Sequence, residues 1–198
     1  MALLFTVTTL KFGGQLARHS FLYINSTDFA HLAHTAEWAC PLGTLVKTGA
    51  PVTVKGQRFT VKPSELVPAG QIYFNMACRQ TAMVPFNVRV ELVPVVEPSV
   101  HVPLEEATLE VRHFKSGAAP ALVSTELLER FMKECYAGHF VNRQQVFYLK
   151  VGQEPRVPMR VTVRQLRVRG SDVSSACLHK LTRLRFVTGP DSEISIDG

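Results

Sequence analysis

Through the first half of the chain, apolar and polar residues alternate in short runs. "LLFTVTTL", "FLYIN", "PVTV", "RFTVK", "QIYFNM" and "FNVRVELV" carry β-branched and aromatic residues in rough alternation, the period of a half-buried strand. Between them, "KGQ" at Lys55 to Gln57 suits a tight hairpin and "VPAG" at Val67 to Gly70 a type II turn. The pattern predicts a small β-rich unit over 1–94 and leaves the strand order open. Prolines at 94, 98 and 103 then break both helical and sheet-centre patterns, so 95–103 reads as a stiff, extended linker.

The period changes beyond the linker. "EATLEVRHF" reads as a strand, but in "STELLERFMKECYAGHF" the apolar residues Leu127, Leu128, Phe131, Met132, Cys135 and Tyr136 recur at helical spacing. A helix over about 124–137 follows, with Ser124 as N-cap and Gly138 as its stop. "QQVFYLKV", "VPMRVTVRQLRV", "TRLRFVT" and "EISID" complete an α+β unit over 104–198 with one main helix. In "RVPMRVTVRQLRV" the apolar positions are odd-numbered through Val163 and even-numbered at Leu166 and Val168, a slip of one residue that predicts a β-bulge. The fold class expected is mixed β and α+β.

Composition adds bounds. With 198 residues, 46% of them hydrophobic and 19% charged, the chain has the material for a core, and disorder is expected only at its ends. It contains no apolar run of about 18 residues, and "MALLFTVTTLKFGG" has neither a basic leader nor a small-residue cleavage site, so a cytoplasmic protein is expected. Cys40, Cys78, Cys135 and Cys177 are far apart and form no C-x-x-C pair, which signals reduced thiols rather than a zinc site or a disulfide framework. The net charge of +6 points to an anionic partner without choosing among nucleic acid, acidic protein and anionic lipid.

Motifs for chemistry are missing. No G-x-x-x-x-G-K-[ST] loop, strand-anchored G-x-G-x-x-G or G-x-S-x-G elbow occurs, so catalytic and cofactor-binding residues are expected to be none. In "HLAHTAEWAC", His31, His34 and Glu37 fall at i, i+3 and i+6, but the pattern is no zincin signature and is read as surface or half-buried residues on an amphipathic turn. Cys78 or Cys135 could pair with His113 or His139 only if the fold brought them together, and both cysteines read as small packed hydrophobes.

Two basic features remain. The run from Arg156 to Arg169 contains no acid and fits equally a solvated strand face or a groove for phosphates and carboxylates; without aromatics in the run, base reading is disfavoured. In "IYFNMACRQTAMV", Arg79 is a single charge with no acid nearby in sequence. A strand ending near Met76 would leave Ala77 to Gln80 as a rim loop, where the cation projects outward without a partner from its own chain.

Several stretches, taken in order, resemble the N-terminal domain of the N-ethylmaleimide-sensitive fusion factor, the vesicle-fusing AAA ATPase. They are "FLYINSTDF" at 21–29, "RFTVKPSELVPAGQIYFNMACRQ" at 58–80, "FNVRVELV" at 86–93, "ATLEVRHF" at 107–114, "LLERFMKECYAGHFVNRQQVFYL" at 127–149 and "LRFVTGPDSEISI" at 184–196. The likeness is collinear and covers nearly the whole chain. It implies a double-psi β-barrel followed by an α/β-roll-like subdomain. It also implies a role as an adaptor-binding module, with ATP, Mg and hexamer formation belonging to ATPase domains not in this chain. The partner implied is the acidic end of the soluble attachment protein, and through it SNARE complexes, with peripheral recruitment to membranes and no direct nucleic acid. On this likeness the partner-binding residues are Arg79, Lys115, Lys11 and Arg112; Lys115 and Lys11 are each displaced from the family's basic positions. The N-domains of valosin-containing-protein and peroxisomal ATPases share the architecture and are the alternative, with a nucleic-acid binder behind them. The segment "AHLAHTAEWACPLGTLVKTGA" at 30–50 is longer than the family's connector, and an added helical turn over the barrel is expected there.

Overall fold

The computed structural model describes residues 2–8, 21–36, 42–95, 104–115, 117–151, 157–190 and 192–197, apart from the side chains of 42, 47, 48 and 151. The chain divides into two compact units, Met1–His101 and Val102–Gly198.

In the first unit six strands, β1 (Leu3–Thr8), β2 (Phe21–Ile24), β3 (Ala50–Val54), β4 (Gln57–Pro63), β5 (Gln71–Tyr73) and β6 (Arg89–Pro94), close into a barrel of order β1-β5-β2-β4-β3-β6. Two of its pairings are parallel, β1 with β5 and β2 with β4; the others are antiparallel. Alternation decides which side chains go inside: Phe5 and Val7, Ala50, Val52 and Val54, and Val90 and Leu92 are all buried at every second position. β2 is buried on both faces, because Leu22 and Ile24 enter the barrel core while Phe21 and Tyr23 pack outside it on Val67 and Tyr73.

The β3–β4 hairpin turns at Lys55 and Gly56, both with positive φ (49° and 76°), as a two-residue loop matched to strand twist requires. The second turn lies one residue later than the sequence reading. The Gln71 N–H donates to the Pro68 carbonyl (3.1 Å), and Gly70 takes the positive φ. The segment expected to add one helical turn instead forms two helices, α1 (Ser26–Thr35) and α2 (Leu42–Thr48). Phe29, Leu32 and Leu45 drop from them into the barrel core, so apolar burial selects helix here. Asn25 caps α1 by accepting from the Thr27 N–H (3.0 Å), and its amide donates to the Val67 carbonyl (3.0 Å).

In the second unit, β10 (Val146–Val151), β11 (Val157–Val168), β7 (Glu106–His113) and β14 (Arg183–Thr188) lie side by side in that order, with β12 (Ser171–Asp172) on the far end of β11. Two short ladders complete the unit, β9 (Phe140–Asn142) with β13 (Ser175–Cys177) and β8 (Ala121–Ser124) with β15 (Ile194–Asp197). One face of the sheet packs against helix α4 (Thr125–Tyr136), whose Leu128, Met132 and Tyr136 share a core with Leu109, Val111, Phe147 and Val161. The phase slip in β11 is a shift of the β7–β11 ladder between Val163 and Gln165. That shift leaves Arg164 as the extra residue.

Ser124 occupies the N-cap position of α4, but its side chain makes no capping hydrogen bond. Asp197 caps instead: its carboxylate accepts from the Thr125 N–H (3.3 Å), while the Thr125 hydroxyl donates to the Asp197 carbonyl. The parallel β8–β15 pairing, which sets Asp197 beside Ser124, brings the cap from 72 residues away. Among the described residues no helix is long and apolar enough to cross a membrane.

Candidate functional site

Arg79 does not lie in a loop. β5 stops at Tyr73, and Asn75 caps a further helix, α3 (Met76–Ala82), by accepting from the Cys78 N–H (2.7 Å). An Asn followed by good helix formers is a start signal, and it was legible in "NMACRQTA". The helix ends in a left-handed cap at Met83 (φ 50°), with the Val84 N–H donating to the Arg79 carbonyl (3.0 Å) and the Met83 N–H to the Gln80 carbonyl (3.3 Å). Lys55 Nζ donates to the Met83 carbonyl (3.3 Å), tying the β3–β4 hairpin to this cap.

The chain then turns back so that Phe86 lies under Arg79, the guanidinium carbon 3.5 Å from the ring centroid. Arg79 Nε is shielded from solvent and has no hydrogen-bond partner, and no described carboxylate is within ion-pair distance. An aromatic face thus answers the charge in part and fixes the side chain's direction. Met76, Met83 and Phe86 are exposed around it. Beneath, burial raises the Tyr73 hydroxyl, the neighbouring Cys78 raises it further, and the Arg79 charge pulls it partly back. Burial alone pushes the Cys78 thiol up to about 12, which leaves it a packed hydrophobe rather than a nucleophile.

In the second unit the structure brings Arg112 and Lys115 to one cleft of about 270 Å³ at the end of β7, with His113, Ser192 and Glu193 also lining it. Lys11 lies outside the described residues, as does Glu37 of the histidine cluster; among the described residues no group of ligating side chains could hold a metal.

Two arginines of the Arg156–Arg169 run, Arg164 and Arg167, are answered by carboxylates that lie outside the run. Arg164, aimed by the bulge, donates from Nε to Glu110 Oε2 (3.0 Å) and from one terminal nitrogen to Oε1 (2.9 Å), while its other terminal nitrogen reaches Gln144 (3.1 Å). Arg112 Nε donates to the same Glu110 (2.6 Å), and Arg167 pairs with Asp172 (3.4 Å). Hydrogen bonds from Arg164 do most to hold the Glu110 carboxyl below the usual range; burial opposes them and Arg112 reinforces them. Arg160 lies directly across from Arg112 on one side and Tyr148 on the other. Tyr148 makes an edge-on contact with Phe114 (5.0 Å between centroids), so neighbouring strands bring aromatics beside a run that has none of its own. Glu110 was invisible to a reading that sought acids only within the run.

No family model matches the chain, and no curated protein does.

Proposed function

We propose that this chain is the adaptor-binding N-terminal module of a vesicle-fusion AAA ATPase, which recruits an acidic, largely helical attachment protein and through it SNARE complexes. The observation that carries the reading is Arg79: a cation with no described carboxylate within ion-pair distance, braced on Phe86 among exposed methionines. Arginine, methionine and aromatic residues in one patch are the composition of binding hot spots, and a charge unanswered at home is available to a partner. The closed barrel with two parallel pairings supports a double-psi topology, and a sheet with one covering helix supports an α/β-roll-like second unit. Arg112 and Lys115 are the second-unit contacts in this reading, and Lys11 the further first-unit one.

Charge-led recognition speeds encounter and is screened by salt. The test is equilibrium binding of the purified attachment protein at low and at moderate salt. Arg79→Glu is expected to weaken binding at least about tenfold, and Phe86→Ala by less, since the cation stays but loses its brace. Absence of affinity at low salt, or affinity indifferent to Arg79→Glu, removes the proposal.

A further inference from the structure

We infer that the face of the second unit's sheet turned away from α4 is a platform for single-stranded nucleic acid, with bases stacking on Phe114 and Tyr148 and with Arg160 leading the contacts to phosphate. Register defines the platform. Residues directly opposite on neighbouring strands share a face, so Tyr148, Arg160 and Arg112 form one row across β10, β11 and β7. Phe147, Val161 and Val111, one position along each strand, enter the core with α4, which puts the arginine row on the other side. Phe114 closes the aromatic end of the row: its N–H donates to the Pro158 carbonyl (3.1 Å), and its ring stands edge-on to Tyr148 at 86°. At the far edge, Arg185 of β14 lies opposite Thr108, which has the same parity on β7 as Arg112.

Charge on this face is unbalanced. Its described carboxylates are engaged, Glu110 with Arg112 and Arg164, Asp172 with Arg167, and Glu106 at 3.9 Å from Arg183. Arg160 and Arg185 are exposed and pair with no described carboxylate. Arg160 also stands directly opposite Arg112, a like-charge pairing that costs stability and that a phosphate shared between them would turn into an attraction. The aromatic end adds the second requirement. Phe114 is 42% exposed, and an edge-on pair occupies the face of one ring only, so the contact with Tyr148 does not use up the surfaces on which bases stack.

Cations along a strand face beside rings that accept any base are what single-strand binders combine. A duplex keeps its base faces hidden, and α4, on the opposite side of the sheet, has no part in this surface to enter a groove. A carboxylate-bearing peptide would satisfy the arginines without using the ring faces, so nucleic acid is the occupant this face fits. The inference stands on the second unit alone and does not rest on the adaptor reading, whose carrying residue, Arg79, belongs to the first.

The test is fluorescence anisotropy of a labelled oligothymidylate of about ten nucleotides, titrated with the intact chain between about 50 mM and about 200 mM salt. Saturable binding that weakens with salt is expected. Phe114→Ala should weaken it about tenfold at unchanged salt slope, because stacking is lost and no charge is. Arg160→Ala should instead lower the slope of log affinity against log salt by about 0.7, the share of one phosphate contact. Both positions are exposed, so the amide spectrum of each variant should match the parent's away from the substitution. A duplex of equal length, polyglutamate and phosphatidylserine vesicles should each compete at least about tenfold less well than unlabelled oligothymidylate. Absence of binding at low salt, or binding indifferent to Phe114→Ala, overturns the inference. So does equal competition: by duplex it would reduce the face to bare charge, by polyglutamate to a surface for acidic protein, and by vesicles to a surface for membrane.

Discussion

Replacing Glu110 by glutamine keeps the shape of the side chain and removes the charge on which Arg112 and Arg164 converge. The Glu110 side chain is only 10% exposed, whereas the two arginines are 38% and 40% exposed. A fully buried ion pair broken on one side costs about 3–5 kcal/mol, while an exposed one is worth about 0–1. Water reaches both cations, so the loss lies between these limits, at about 1–2 kcal/mol. Part of it comes from repulsion, since Arg112 stands directly opposite Arg160 and loses the carboxylate that offsets their like charge.

The pH dependence gives the sharper check. Contacts in the folded state lower the Glu110 pKa, so its contribution is complete above the ordinary glutamate range and is lost as pH falls through the lower folded value. The parent and Glu110→Gln should therefore differ most at neutral pH and converge in acid, once the carboxyl is protonated in both the folded and the unfolded state. The assay is urea denaturation read from β7 and β11 amide intensities by NMR, which reports this unit by itself. A difference under about 0.3 kcal/mol at pH 7, or one undiminished in acid, would refute the argument that the carboxylate's charge clamps β7 to the bulge.

Met83 holds a left-handed backbone and is 79% exposed, so Met83→Gly is expected to stabilise the first unit by about 0.5–1 kcal/mol, read as a raised urea midpoint at unchanged slope. With its thiol near 12, Cys78 should be about one part in ten thousand thiolate at pH 8; iodoacetamide followed by peptide mass spectrometry should find it at least a thousandfold slower than free cysteine until the protein is unfolded. Modification of Cys78 in the folded protein within tenfold of free cysteine would contradict its burial.

Local pattern carried much of this fold. The period of two in β1, β3 and β6 and the helical spacing from Leu127 to Tyr136 each reflect one element burying one face, which a single stretch of chain records. The phase slip between Val163 and Leu166 likewise recorded a bulge, because a strand that keeps its apolar face inward must change parity there. Long-range pairing left no such trace. Nothing near Arg164 in sequence announced Glu110, 54 residues away, and nothing near Thr125 announced Asp197. Arg79 was identified as a charge without a partner, but its support was misjudged: the Asn75 cap and Phe86, seven residues on, make it a braced helical side chain rather than a loop residue. The second-unit cleft depends on Gly189 lying beside β7, a closeness that parallel pairing with β14 creates and no sequence window spans.

The β8–β15 ladder has a mechanical consequence. Both strands run the same way, and the register from Ile194–Ala121 to Asp197–Ser124 ends where β8 hands the chain to α4. Tension drawn forward from Asp197 along the strand axis therefore acts on the ladder in shear, loading its evenly spaced hydrogen bonds together instead of peeling them one at a time. The same pull acts on the Asp197 contacts with Thr125, so slippage of this strand would uncap α4 as it releases. The last described strand is thus a shear-loaded anchor, through which traction at this end of the unit reaches the helix over its core.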